Sequence, residues 1–366
     1  MKTTTGWIGG PSFDAFFFFG GALLALAAGL LMLAAPWTVL PLWFAWIWLI
    51  EGPHLFGTWQ RAYLDNGYRR QHKRMLATSL LWFVPGPLLL CVSWFTGQPE
   101  PFLLFLGFVA IWSFHHAIRQ HHGIQSIYQR LGGVDAATRK MDGRLLHGIL
   151  WMIFILFLLA HPLNRELIGL APVLGSGDLI VITLLGGALA LAVLAWAAML
   201  VLRWRRGHAL KAGVFGLVVA VGTLLFTFFV VGLREPLLVE AMTTEQFFMA
   251  ATLVGGILHG IQYIGIVIAT ERRRAVSGET EGSLSARFGK APLLAYAVML
   301  VVSLLYVLLN LARGAAPFWE SATPFLTQLF LALYWGLFCH HFWLDQKIWK
   351  PSADARLRAE LGLGSA

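Results

Sequence analysis

Charge is what this sequence has least of. Only 12% of its 366 residues are Asp, Glu, Lys or Arg, too few to clothe a soluble domain of this length. Cysteine is nearly missing too: Cys91 and Cys339 are the only two. In the topology derived below they fall near opposite membrane faces, so they cannot form a disulfide, whose sulfurs stand about 2 Å apart. Cys339 lies beside His340 and reads as a small buried apolar residue. Short segments alternating apolar with polar residues are also missing, which excludes a transmembrane β-barrel. No segment reads as a separate soluble domain, and no nucleotide- or flavin-binding motif is present. The basic residues are dispersed over short loops, so the net charge of +9 does not describe a nucleic-acid-binding surface.

What fills the chain instead is hydrocarbon, with 58% of residues hydrophobic. Runs such as Leu179 to Leu202 and Val214 to Gly232 are long enough to cross a bilayer core as helices. Within lipid the backbone must satisfy its own hydrogen bonds, so such runs are helical. The reading is an all-α, polytopic transmembrane helical bundle of about ten spans. They are Phe13–Ala35, Trp37–Thr58, Leu76–Phe95, Phe102–His116, Leu145–Ala160, Leu179–Leu202, Ala212–Gly232, Phe247–Thr270, Ala291–Leu311 and Phe325–Leu344. The first is too long for a signal-peptide core and is kept as a helix. Pro41 and Pro53 predict a kink in the second. Residues 1–350 form one transmembrane domain on this reading, and 351–366 a cytoplasmic tail.

Orientation follows from where Lys and Arg fall. With the N-terminus inside, the basic clusters around Arg69, Arg139, Arg205 and Arg273 are all cytoplasmic. Arg165, Arg234 and Arg313 are the exceptions. Both termini therefore lie inside, in a multi-pass protein of a bacterial-type inner membrane.

Ionisable side chains inside such helices are costly and each calls for a reason. Glu51 and His54 near the end of the second span are spaced i, i+3, on one helical face. Carboxylate-bridged di-iron bundles use that Glu-x-x-His spacing. The fourth span ends in the densest histidine cluster of the chain, His115, His116, His121 and His122. At about 100° per residue, His115 and His122 share a face with Arg119, while His121 points away. The eighth span carries His259, with Gln262 and Tyr263 one turn on. The last ends in His340 and His341, with Asp345 one turn past His341, where a carboxylate ligates a metal or orients an imidazole. His147 opens the fifth span beside these, whereas His72, His161 and His208 read as solvated. At each of these places a competing reading exists: a polar helix end, an interfacial cap or a packing residue.

Imidazole-rich, thiolate-poor sites suit iron, copper or zinc. Glu51, His54, His115, His116, His122, His259, His340, His341 and Asp345 are the candidate ligands, with His121 and His147 behind them. They exceed what one tetrahedral zinc needs, and two metal ions are expected. Arg119, Gln262 and Tyr263 are the candidates for the surrounding shell.

The pairs His115-His116, His121-His122 and His340-His341 resemble those of the membrane histidine-box oxygenases: fatty-acid desaturases, alkane monooxygenases and fatty-acid hydroxylases. That resemblance implies two irons at the cytoplasmic helix ends and a hydroxylase, monooxygenase or desaturase of lipid metabolism. It also implies an apolar or lipidic substrate drawn from the bilayer, and electrons from a ferredoxin or flavoprotein. This chain lacks a clear counterpart of the usual first box, two histidines four or five residues apart. A second likeness is carried by Gly52-Pro53-His54 and Cys339-His340-His341, which are similar to histidine motifs of the bacterial membrane carotene-cleaving oxygenases. Those enzymes use several histidines around one iron. The rivals from other classes are a metal-ion or proton transporter with a histidine relay and a bis-histidine haem protein.

Overall fold

The computed structural model describes residues 6–167, 169–171, 173–208, 210–231, 242–277, 283–313 and 324–363. Every regular element among them is helical. The long helices are α1 (Pro11–Ala34), α2 (Pro36–Ala62), α3 (Lys73–Thr96), α4 (Glu100–Leu131), α5 (Ala136–Ala160), α6 (Ser176–Arg205) and α7 (Lys211–Val231). They are followed by α8 (Thr244–Ser277), α9 (Pro292–Arg313), α10 (Phe325–Ile348) and the short α11 (Ala355–Glu360). By length and composition, the first eight are able to cross a membrane. Side chains such as Leu23, Phe95, Leu104, Leu184 and Leu293 stand exposed along α1, α3, α4, α6 and α9. Water would not tolerate that much bare hydrocarbon, whereas lipid requires it. The chain is a membrane protein. The ninth and tenth expected spans fall on α9 and α10; Gly232, Arg234 and positions 278–282 lie outside the described residues.

Two helices run well past the ends that hydropathy gives them. The fourth expected span closes at His116, yet α4 continues to Leu131, where Gly133 turns into the left-handed region at φ 66°. Polar residues end a hydropathy window without ending a helix, and no proline interrupts residues 117–131. Likewise α8 continues past Thr270 to Ser277. His116 and His259 therefore stand in mid-helix, about 22 Å and about 27 Å before the helix ends at 1.5 Å per residue.

Contacts divide the chain into two compact units, Met1–Trp43 with Ile118–His259, and Phe44–Ala117 with Gly260–Ala366. The first holds its buried charges in closed sets. Asp14 accepts from the Ile8 and Gly9 amides and the Tyr128 hydroxyl at 2.7–2.8 Å. Asp142 accepts from Gln129, Trp196 and Arg203. A buried carboxylate with three donors is satisfied, and these two are structural. His161, expected in solvent, is buried and stacked on Phe247 with centroids 4.6 Å apart.

In the second unit α2 packs on α9, and α3 on α10. The α2 helix absorbs Pro53 through a π-helical turn over Ile47–Glu51. Proline removes one backbone donor, and the wider i→i+5 turn accommodates the break without ending the helix. That turn leads directly into Glu51 and His54.

Candidate metal centre

The functional side chains in the second unit arrive from four different helices. His54 and Thr58 sit one turn apart on α2, Tyr263 on α8, and His341 and Asp345 one turn apart on α10; His116 comes from α4. Two glycines let the backbones approach. A Cβ on Gly57 would stand 3.2 Å from the Tyr263 ring, and one on Gly260 only 2.5 Å from Ile50 Cγ2. Small residues at such contacts are how membrane helices come close. Gly260→Val should push α8 off α2, costing about 1–3 kcal/mol of overpacking strain. The expected readout is a lower melting temperature in detergent with reduced metal content; an unchanged melting temperature would mean that the close contact is not needed.

Imidazole and carboxylate groups then meet in a buried cluster. The rings of His54 and His341 are 4.4 Å apart, those of His116 and His341 5.0 Å, both edge to face. His259, bonded directly to Gly260 on the unbroken α8, completes the set. Candidate ligand atoms of His54, His116, His259 and His341 all lie within 4.8 Å of one another, and all four residues are buried. With metal–nitrogen bonds of about 2.0–2.1 Å, ligands on one ion stand about 3–4 Å apart. The four need only a small contraction to close on an ion.

Hydrogen bonds set which ring nitrogens face inward. Thr58 Oγ1 donates to Asp345 Oδ1 at 2.9 Å and lies 2.5 Å from the Tyr263 hydroxyl. It also makes a 2.7 Å hydrogen bond with His341 Nδ1. That bond holds the orientation of the His341 ring, as a hydrogen bond to one ring nitrogen does for a ligating imidazole. Glu51 lies 3.4 Å from His54 Nδ1 and orients that ring in the same way. The Tyr263 hydroxyl also donates to Asp345 Oδ1, at 2.7 Å. Asp345 Oδ2 faces Nε2 of His341 at 3.5 Å and Nε2 of His116 at 3.7 Å. One carboxylate oxygen is pinned by two hydroxyls while the other is presented to the imidazoles. Imidazoles beside a carboxylate suit a divalent transition metal, and the residues present fit one.

The other residues singled out by sequence are placed elsewhere. His340 bonds the Tyr63 hydroxyl at 3.0 Å and lies against Phe83. His122 lies against His147, with centroids 4.7 Å apart, and His147 Nδ1 is 2.9 Å from the Gly143 carbonyl. His121 is buried near Phe215. His115 is half-buried, Arg119 exposed and Gln262 fully buried, none in the four-histidine set. Adjacent residues on a regular helix point about 100° apart, so only one member of a His-His pair reaches a given centre. His116 and His341 are the members that do.

Three contributors escaped the sequence reading. Thr58 was legible, one turn after His54 on the same face. Gln120 donates to the His259 carbonyl at 2.8 Å, and Trp349 Nε1 to the Tyr263 hydroxyl at 3.1 Å. Nothing in the sequence marks Trp349 out from the other tryptophans. No protein-family model, curated protein or solved structure matches this chain.

Proposed function

We propose that this protein is an oxygenase of a bacterial-type inner membrane, N- and C-termini inside, that holds one iron ion and oxidises an apolar or lipidic substrate. The single observation behind the proposal is the cluster of four buried histidines with Asp345 beside it, set among helices of membrane-spanning length. One such cluster among the described residues supports one ion, where the sequence alone suggests two. Imidazole with a carboxylate suits iron above magnesium or calcium. Four imidazoles converging within 4.8 Å leave no room for a porphyrin plane between them, which argues against haem.

A bound ferrous ion would supply dioxygen activation. The chain supplies the rest. His54 and His341 are oriented by Glu51 and Thr58, Asp345 balances positive charge, and the surrounding helices exclude water. Phe342, stacked on His116 at 4.6 Å with Phe338 beyond it, gives the site an apolar side suited to a hydrocarbon. Electrons would come from a ferredoxin- or flavoprotein-like donor at the basic cytoplasmic face.

Elemental analysis of the protein purified in mild detergent, after anaerobic loading with ferrous ion, should find about one iron per chain, within the four-ligand capacity of such sites. Oxygen uptake by that protein should depend on an added apolar substrate and a reductant. A chain that retains no metal and takes none up would overturn the reading.

A further inference from the structure

The second unit buries a second set of charges that the metal reading does not use. Arg61, Arg274, Asp65, Glu271 and Glu360 are each no more than 5% exposed. Glu360, on the carboxy-terminal helix α11, accepts from Arg61 Nη2 at 2.9 Å and Arg274 Nε at 2.8 Å. Arg274 also reaches Asp65 at 2.6 Å. Burial alone would raise the Glu360 carboxyl, but Arg61 and Arg274 outweigh it and hold the group below the ordinary glutamate range. Leu357 and Leu361 are buried beside it, and Arg273 bonds the Glu360 carbonyl. The tail is docked, with its acid inserted between two guanidinium groups.

From this dock a continuous set of contacts leads to the histidines. The Arg61 guanidinium lies 4.6 Å over the Trp349 ring. Trp349 Nε1 donates to the Tyr263 hydroxyl at 3.1 Å, and Tyr263 donates to Asp345 at 2.7 Å. The free face of that carboxylate is the one opposite His116 and His341. Each link fixes the geometry of the next: Arg61 holds the indole plane, the indole N–H orients the phenol, and the phenol sets the carboxylate rotamer.

We infer that the carboxy-terminal helix is coupled to the metal centre, with Glu360, Arg61 and Trp349 acting as positioning residues for Tyr263 and Asp345. This rests on the metal reading above and adds a regulated element to it. Release of α11 takes Glu360 from Arg61, which keeps Glu271 at 3.7 Å, loosens Trp349 and leaves Asp345 less firmly oriented, so metal is held less tightly. A binding event at the tail, such as a partner with its own acidic group for Arg61 and Arg274, would then act on the site. Coupling of this kind is reciprocal: if docking strengthens metal binding, metal binding strengthens docking by the same factor.

The test is hydrogen exchange of the peptide covering residues 355–361 in the full-length, detergent-solubilised protein, with and without cobalt(II), whose visible absorption reports occupancy. Cobalt is expected to slow exchange there by about fivefold or more, the low end of coupling between sites. Trp349→Phe keeps a ring under Arg61 and removes only the donor; it should still bind cobalt while losing that protection. Glu360→Gln, a milder change should Trp349→Phe fold poorly, should weaken cobalt affinity by a similar factor. Exchange that is the same with and without bound cobalt would overturn the coupling and leave the metal site standing. An absence of cobalt absorption would instead overturn the metal site, and the coupling with it.

Discussion

Alanine in place of His54, His116 or His341 should abolish metal binding, each change acting alone. The three rings reach one point from α2, α4 and α10, and the loss of any one opens a gap in the ligand set. Affinity is expected to fall by more than about 100-fold, beyond the range for outer-shell partners. His340→Ala and His122→Ala are the matched controls, because His340 faces Tyr63 and His122 faces His147. Both should keep their metal. Chelator competition on detergent-purified protein reads the difference, and equal affinities in His341→Ala and His340→Ala would defeat the assignment. Lysine substitutions add a separate check. If positive charge at a helix end were all that is needed, His116→Lys and His341→Lys would remain active. A protonated lysine cannot ligate iron, so both are expected to be empty and inactive.

For Asp345→Asn the expected effect is the next largest. Asparagine keeps the shape and an oxygen that can accept from Thr58 and Tyr263, but removes the negative charge facing His116 and His341. Metal affinity should drop by about 10–100-fold, as for other groups that orient or balance a ligand set. The visible spectrum of the cobalt form should shift as well. Asp345→Ala should cost more, since it also strands the Thr58 and Tyr263 hydroxyls. Unaltered affinity and spectrum in Asp345→Asn would show that the carboxylate belongs to packing alone.

The paired histidines show where sequence reading stops. His115-His116 and His340-His341 attract notice as pairs, yet in each pair a single member points at the cluster. Periodicity relates the faces of one helix and says nothing about which face meets which neighbour. The grouping of His115 with His122 on one face was sound as helical geometry, but that face carries His122 toward His147, while His116 and Gln120 share the face beside it. Hydropathy locates the stretch suited to lipid; it does not locate the end of a hydrogen-bonded helix.

What the sequence by itself determined is the solvent and the chemistry available. Scarce charge and long apolar runs require a helical membrane protein, because lipid leaves the backbone no other way to satisfy its hydrogen bonds. Histidine without thiolate limits the donors to imidazole and carboxylate. Only the tertiary structure decided which histidines converge, that Thr58 orients the His341 ring, and that Trp349 and the docked tail reach Asp345. Those outcomes depend on how helices distant in sequence are rotated against one another. Rotation is set by close contacts such as Gly57 against Tyr263 and Gly260 against Ile50, which no local pattern of residues encodes.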